Sequence, residues 1–219
     1  MLKIIEFFAG SRSISKEAEK TNCQVFSTDI IAFNKINYVI DVFDFDFERV
    51  PFIPDVLWFS PPCTAFSVAA IGRNWTKVAE TYIPKTIKAE IGISMLKKCL
   101  DIIAYYQKIN PKIIFFIENP RGMMRKMPHL ENITRHTVTY CQYGDTRMKP
   151  TDIWTNCKSF VPKKCNNGDT CHIAAPRGSK TGTQGLKNAF ERSKIPPLLC
   201  ADIVESCIKD CLTQQKSVV

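Results

Sequence analysis

In Lys112-Ile113-Ile114-Phe115-Phe116-Ile117-Glu118-Asn119-Pro120 five consecutive apolar residues, Ile113 to Ile117, stop abruptly at a carboxyl group, an amide and a proline. A short apolar run without alternation reads as a strand buried on both faces, the pattern of a parallel sheet covered by helices. Four comparable runs precede it: Lys3 to Phe7, Gln24 to Thr28, Tyr38 to Val42 and Val56 to Phe59. Between the fourth and the fifth, Ile87, Ile91, Met95, Leu96, Leu100, Ile103 and Tyr106 fall on one stripe and predict a long helix. Strands alternating with helices indicate an α/β fold, a mostly parallel doubly wound sheet with helices on both faces.

The polar clusters sit just past the strand ends. Ala9-Gly10-Ser11 follows the first strand, Asp29 the second, Ser60-Pro61-Pro62-Cys63 the fourth and Glu118-Asn119-Pro120 the fifth, while Asp41 lies in the third. In open parallel sheets that edge is where ligands bind, and packing alone does not explain the convergence. After Tyr140 the texture changes: residues 141–190 carry many glycines, lysines and arginines with little apolar periodicity, which reads as a loop-rich excursion. Pro197 to Leu212 returns to a helical pattern through Leu198, Leu199, Ile203, Val204 and Ile208. We therefore expect a main unit over residues 1–156, a short insert over 157–190 and a closing segment over 191–219 that completes the main unit.

The 219 residues suit one domain, and a hydrophobic fraction of 45% is enough for a real core. Lys and Arg number 30 against 21 Asp and Glu, a formal charge of +9. Such an excess favours a polyanionic partner through counterion release, although a generic basic surface gives the same balance. The ten cysteines lack the dense framework of a small secreted disulfide protein and read as mostly reduced thiols. No apolar run is long enough for a membrane span, and the N-terminus lacks the succession of a signal peptide, so a cytoplasmic location is expected.

Cys63 is the natural candidate nucleophile. Cysteine attacks strongly even when only partly ionised, and Pro61 and Pro62 fix the backbone before it. An isolated Pro-Cys would more simply be a small buried hydrophobe. It is not isolated. Phe59-Ser60-Pro61-Pro62-Cys63-Thr64-Ala65-Phe66-Ser67 resembles the catalytic loop of the cytosine-5 DNA methyltransferases. Phe116-Ile117-Glu118-Asn119-Pro120-Arg121-Gly122 resembles that family's Glu-Asn motif, and Glu6-Phe7-Phe8-Ala9-Gly10-Ser11 its cofactor-binding turn. Order and spacing match over roughly residues 1–156 and the C-terminal helix.

The resemblance implies a Rossmann-like class I methyltransferase that uses S-adenosylmethionine, with residues 1–156 as the cofactor-binding catalytic domain and 157–190 as a reduced recognition element. Cys63 would add to carbon 6 of cytosine, Glu118 would protonate or hydrogen-bond N3 through a carboxyl whose pKa is raised by burial, and Asn119 would orient the cysteine loop or the base. Phe8, Ala9, Gly10 and Ser11 would hold the methionine part of the cofactor, Asp29 would accept the ribose hydroxyls and Asp41 would read the adenine amino group, with Ile30, Val42, Ser60 and Pro62 lining the same site. The family turn has a second glycine where this chain has Arg12, a departure that could alter the site. Gln142 to Lys149 resembles the family's Arg-x-Arg motif, with Arg147 as the first arginine and Lys149 in place of the second; the family role is to contact the target cytosine's carbonyl and a nearby phosphate.

The full recognition domain of the family is missing. In the insert, Cys157, Cys165, Cys171 and His172 are ligand types that could bind zinc, though the spacing is not that of a standard finger. Lys163, Lys164, Arg177, Lys180 and Lys187 suit phosphate contact better than base reading, so low sequence specificity is expected. A duplex cytosine must be extruded to reach Cys63. Phe66 to Trp75 is expected to be the mobile loop there, with Ser67, Arg73 and Trp75 as contacts and Arg121 and Lys149 adding to the nucleic-acid face. The same chemistry on RNA, an altered group transferred, and a non-catalytic DNA-binding relative are the competing readings.

Overall fold

The computed structural model describes residues 1–166, 168–174, 186 and 188–216. Its main sheet contains β1 (Lys3–Phe7), β2 (Gln24–Asp29), β3 (Tyr38–Val39) and β4 (Val56–Phe59). A separate hairpin is formed by β5 (Trp75–Val78) and β6 (Thr81–Pro84), and the main sheet continues with β7 (Ile114–Pro120), β8 (Arg135–Thr139) and β9 (Pro150–Thr155). The helices are α1 (Ser13–Lys20), α2 (Ile71–Asn74), α3 (Ile87–Ile109), α4 (Ala189–Ser193) and α5 (Pro197–Lys216). The seven strands lie in the order β3-β2-β1-β4-β7-β9-β8. All pairs from β3 to β7 are parallel, and β9 runs antiparallel to both of its neighbours.

The apolar runs explain this layering. Every residue of β4 is buried, and so are Ile114 to Asn119 of β7, because both faces of the sheet are covered. On one face α3 packs on Ile5, Leu57 and Phe115 through Leu96, Cys99 and Ile103. On the other, Ile14 and Ala18 of α1 and Leu199, Ile203 and Val204 of α5 cover Ile4, Val56 and Ile114. The expected α3 stripe is corrected at its start. Ile87 and Ile91 are 74% and 45% exposed, since the buried face begins at Ala89 and Gly92; with Pro62 and Thr64 they line a groove of about 390 Å³. The third strand is also shorter than expected, because Asp41 accepts a bond from the Phe43 N–H and starts a 3-10 turn.

The loop-rich texture expected from Tyr140 onward gives way to order at β9, which lies inside the sheet. Asp152 of β9 is fully buried and takes two bonds from the Arg125 guanidinium and one from Thr137 Oγ1. That clamp ties β9 and β8 to the turn after β7.

Register places the site. Thr28 pairs with Phe7, Phe7 with Phe59 and Phe59 with Ile117. One residue further along stand Asp29, Phe8, Ser60 and Glu118. The strand order changes direction between β1 and β4, which leaves a crevice beyond their ends.

Candidate active site

The loop after β4 is held from several directions. Asn119 donates its side-chain amide to the Pro61 carbonyl at 2.8 Å. Beyond Cys63, the Phe66 carbonyl accepts the Met123 N–H at 2.7 Å, and a side chain on Gly122 would stand 2.3 Å from that same oxygen. Only a glycine allows this approach. The Ala65 carbonyl accepts from Asn74 Nδ2 and Trp75 Nε1. Cys63 itself remains half-buried, so the thiol is fixed without being sealed off.

Glu118 is buried, and desolvation pushes its carboxyl above the ordinary range despite the opposing charge of Lys149 and bonds from Ser60 and Tyr140. The Tyr140 hydroxyl donates to it at 3.3 Å. Burial likewise raises the Cys63 thiol, the Glu118 charge raises it further, and Lys149 and Arg192 oppose both. The Cys63 thiol therefore feels the field of the Glu118 carboxyl. Asn119 is fully buried, and its Oδ1 finds no partner among the described residues. Its amide thus faces the loop with one end and offers a free acceptor with the other.

Arg147 is buried rather than spread on the surface. Asp145 holds its guanidinium through both carboxylate oxygens and also takes the Arg147 backbone N–H. Burial alone would raise the Asp145 carboxyl, but these bonds and the adjacent positive charge bring it below the ordinary value. Arg147 Nη1 is left without a partner among the described residues. Lys149 lies inside the site: its ammonium sits 4.5 Å from the Tyr140 ring centre and donates to the Arg192 carbonyl at 2.8 Å. Desolvation lowers its pKa, with Glu118 pulling the other way. Sequence reasoning left Tyr140 and Asp145 without roles; the signal for both was their position flanking a strand end and an arginine.

On the cofactor side, Phe8, Gly10 and Arg12 all adopt left-handed backbone, with φ of 54°, 48° and 55°. Ala9 is buried beneath this turn. Asp29 joins the turn to β2 by accepting the N–H groups of Gly10 and Ile31, each at 2.9 Å. Each carboxylate oxygen still has a lone pair for a hydroxyl. Ile30 is 62% exposed beside it, and Phe43 is partly exposed after Asp41. Two carboxylates, exposed apolar side chains and an open turn fit an adenosine-bearing group. Val42 buries its side chain in the core, and the Ser60 hydroxyl is engaged by Trp58 Nε1 and Glu118. Ser11 bonds to Ser13, and Pro62 is exposed. With Arg147 and Pro196, Ser11 and Ser13 line a cleft of about 420 Å³.

Arg12 turns away from the strand ends. Its guanidinium reaches Ser27 and pairs with Glu19 of α1. Glu6 meanwhile caps α1 from within β1 by accepting the N–H groups of Ile14 and Ser15.

At the ends of the expected mobile loop, Phe66 and Trp75, the structure corrects one contact. Both ends are buried and stacked with ring centres 5.7 Å apart, so Trp75 is core and not a nucleic-acid contact. Ser67 is half-buried, while Arg73 and Arg121 are exposed. The expected metal set is corrected too. Cys157 packs into the core with Cys207, because its N–H is held by Thr155 Oγ1 at the end of β9. Cys141 takes its place beside Cys165, Cys171 and His172. Arg177, Lys180 and Lys187 lie outside the described residues.

No known family's sequence profile matches the chain. It is 29% identical over 231 residues to a protein of Frog virus 3 (isolate Goorha) named "Probable DNA (cytosine-5)-methyltransferase", covering 94% of this chain and 100% of that protein. The chain is thus similar along nearly its whole length to a protein named as a DNA (cytosine-5)-methyltransferase. Among solved structures, it superposes on a DNA modification methyltransferase encoded within an E. coli prophage with a TM-score of 0.51 at 13% identity, over 76% of this chain and 52% of that one. An Entamoeba histolytica methyltransferase, EhMeth, gives a TM-score of 0.49 at 13% identity, over 77% and 58%. The likeness to the prophage structure shows the Rossmann-like methyltransferase fold, and the chain spans about half the length of that protein. Among the described residues no helix is long and apolar enough to cross a membrane.

Proposed function

We propose that the chain methylates carbon 5 of cytosine in DNA, with Cys63 as the nucleophile and S-adenosylmethionine as the methyl donor. One observation carries this reading: the bond from Asn119 to Pro61 joins the cysteine loop to the strand end bearing Glu118. The relative from Frog virus 3 supports DNA as the substrate.

Cytosine carbon 5 is too poor a nucleophile to react unaided. Cys63 sulfur adds to carbon 6 as the thiolate, breaking the ring's aromaticity. The raised carboxyl of Glu118 gives its proton to N3, so negative charge does not accumulate on the ring. Arg147 Nη1 donates to the ring carbonyl, and Asn119 Oδ1 accepts from the base. When bound, S-adenosylmethionine supplies an electrophilic methyl group. Phe8 and Gly10 would hold its methionine part, Asp29 its ribose and Asp41 its adenine, with Ile30 lining the same edge. Loss of the carbon 5 proton to solvent, return of the N3 proton to Glu118 and departure of the thiolate restore the ring and the enzyme.

A duplex target must swing its cytosine out of the stack to reach this crevice. Arg73 and Arg121 are exposed near the loop ends and supply phosphate contacts, and residues 157–190 serve as the reduced recognition element. Tritiated S-adenosylmethionine offered with duplex DNA or with RNA tests the reading. Label entering DNA, and vanishing with Cys63→Ala, is the expected result. Label confined to RNA assigns the chemistry to the other polymer, and label surviving in Cys63→Ala removes the nucleophile.

A further inference from the structure

Four soft donors meet behind the loop that carries Arg147. Cys141 belongs to the 3-10 turn after β8, and Cys165, Cys171 and His172 come from the chain beyond β9. Their ligand atoms all lie within 4.8 Å of one another. The Cys141 and Cys165 sulfurs are 3.2 Å apart, Cys171 and Cys141 3.6 Å, and His172 Nδ1 lies 3.6 Å from Cys171 and 3.8 Å from Cys165. A tetrahedral zinc with bonds of about 2.3 Å to sulfur and about 2.05 Å to nitrogen has edges of roughly 3.5–3.8 Å. The shortest sulfur pair is far longer than the roughly 2.05 Å of a disulfide, and all three cysteines are free thiols.

The backbone around them is already braced. Thr139 Oγ1 accepts the Cys165 N–H at 2.8 Å, and Ile173 N–H donates to the Thr146 carbonyl at 2.9 Å. Donors supplied by two chain segments are thus brought to one point by bonds that involve no metal. The segment after β9 is too short to form an apolar core of its own, a situation in which small elements use metals.

We propose that Cys141, Cys165, Cys171 and His172 bind one zinc ion that fastens the segment after β9 to the Asp145–Arg147 loop. Three thiols release their protons to solvent as the ion binds, and neutral His172 ligates through Nδ1. Four protein ligands fill the tetrahedron and leave no open position, so the ion is structural. This inference does not depend on the methyl-transfer reading.

The full chain, produced in zinc-containing medium and purified without chelator, is analysed for metal by mass spectrometry. One zinc per chain is expected, and cobalt(II) exchanged into the protein should give the visible bands of a tetrahedral thiolate site. Cys141→Ser and Cys165→Ser should reduce zinc below about a tenth of that content, while Cys157→Ala and Cys23→Ser retain it. If the buried variants fail to fold, Cys171→Ala and His172→Ala at the surface decide the matter. Zinc content unchanged in those two, absence of both zinc and the cobalt bands, or recovery of a Cys141–Cys165 disulfide would each overturn the proposal.

Discussion

The side-chain amide of Asn119 reaches across to the Pro61 carbonyl at 2.8 Å, so the end of one strand grips the backbone two residues ahead of Cys63. Asn119→Ala removes a fully buried donor and strands that carbonyl, at a cost of about 1–3 kcal/mol. We expect kcat for methyl transfer to fall at least tenfold, by about the equivalent of 1.4 kcal/mol, while free Cys63 alkylates faster because its loop opens. Wild-type turnover in the variant would remove Asn119 from any positioning role.

The reactivity of the thiol reports its two charged neighbours separately. Glu118 raises the Cys63 pKa beyond the effect of burial, and Lys149 lowers it. In the absence of DNA, the pH midpoint for iodoacetamide alkylation should therefore move down in Glu118→Gln and up in Lys149→Met. Shifts of the same sign in both variants would contradict the shared field.

Glu118 also sets a stability cost with a definite sign. Its folded carboxyl lies above the ordinary value of 4.5, chiefly because of burial. The ionised group therefore weakens the fold, by nothing below the unfolded pKa and by an amount that grows as pH rises through the folded one. Glu118→Gln should melt higher than the unmutated chain at neutral and alkaline pH, with no such gain in acid. Its methylation rate should drop by about 10²-fold or more, and the alkaline fall in the rate profile should vanish. Equal melting curves across the pH range would show that the carboxyl is not held in this way.

Arg12 separates a structural departure from a functional one. Its guanidinium is directed at Ser27 and Glu19 and not at the strand ends. Restoring the family's glycine with Arg12→Gly relieves the left-handed backbone but empties a buried space, so a net loss of about 1–3 kcal/mol is expected in thermal unfolding. Affinity for S-adenosylmethionine, measured by calorimetry, should change by less than about fivefold, the equivalent of 1 kcal/mol. A larger change would place Arg12 within reach of the cofactor.

Legibility of the fold followed apolar continuity. β1 and β4 were readable to the residue because consecutive β-branched and aromatic side chains have one environment available, the inside of a covered sheet. β8 and β9 were not, since Arg135, His136, Asp152 and the threonines among them look polar until Arg125 and Thr137 pair with Asp152. Cys63, Glu118 and Asn119 were legible as motifs at strand ends. Lys149 is legible only as the stand-in for the motif's second arginine, because no local pattern reveals that Tyr140 lies beneath its ammonium. Trp75 failed similarly: an aromatic after a short polar stretch looks available until its indole N–H is found bonded to Ala65. The cysteine set missed Cys141 because its partners come from a different stretch of chain.

The antiparallel ladder between β7 and β9 matches Glu118 to Ile153 and Asn119 to Asp152. Sliding that ladder by a single position would turn each side chain to the opposite side of the sheet. Inserted or deleted residues between Tyr140 and Lys149 should accordingly be purged in descendants of this chain, whereas length changes downstream of Thr155 leave the pairing untouched. Drift in size among its kin should collect after that strand.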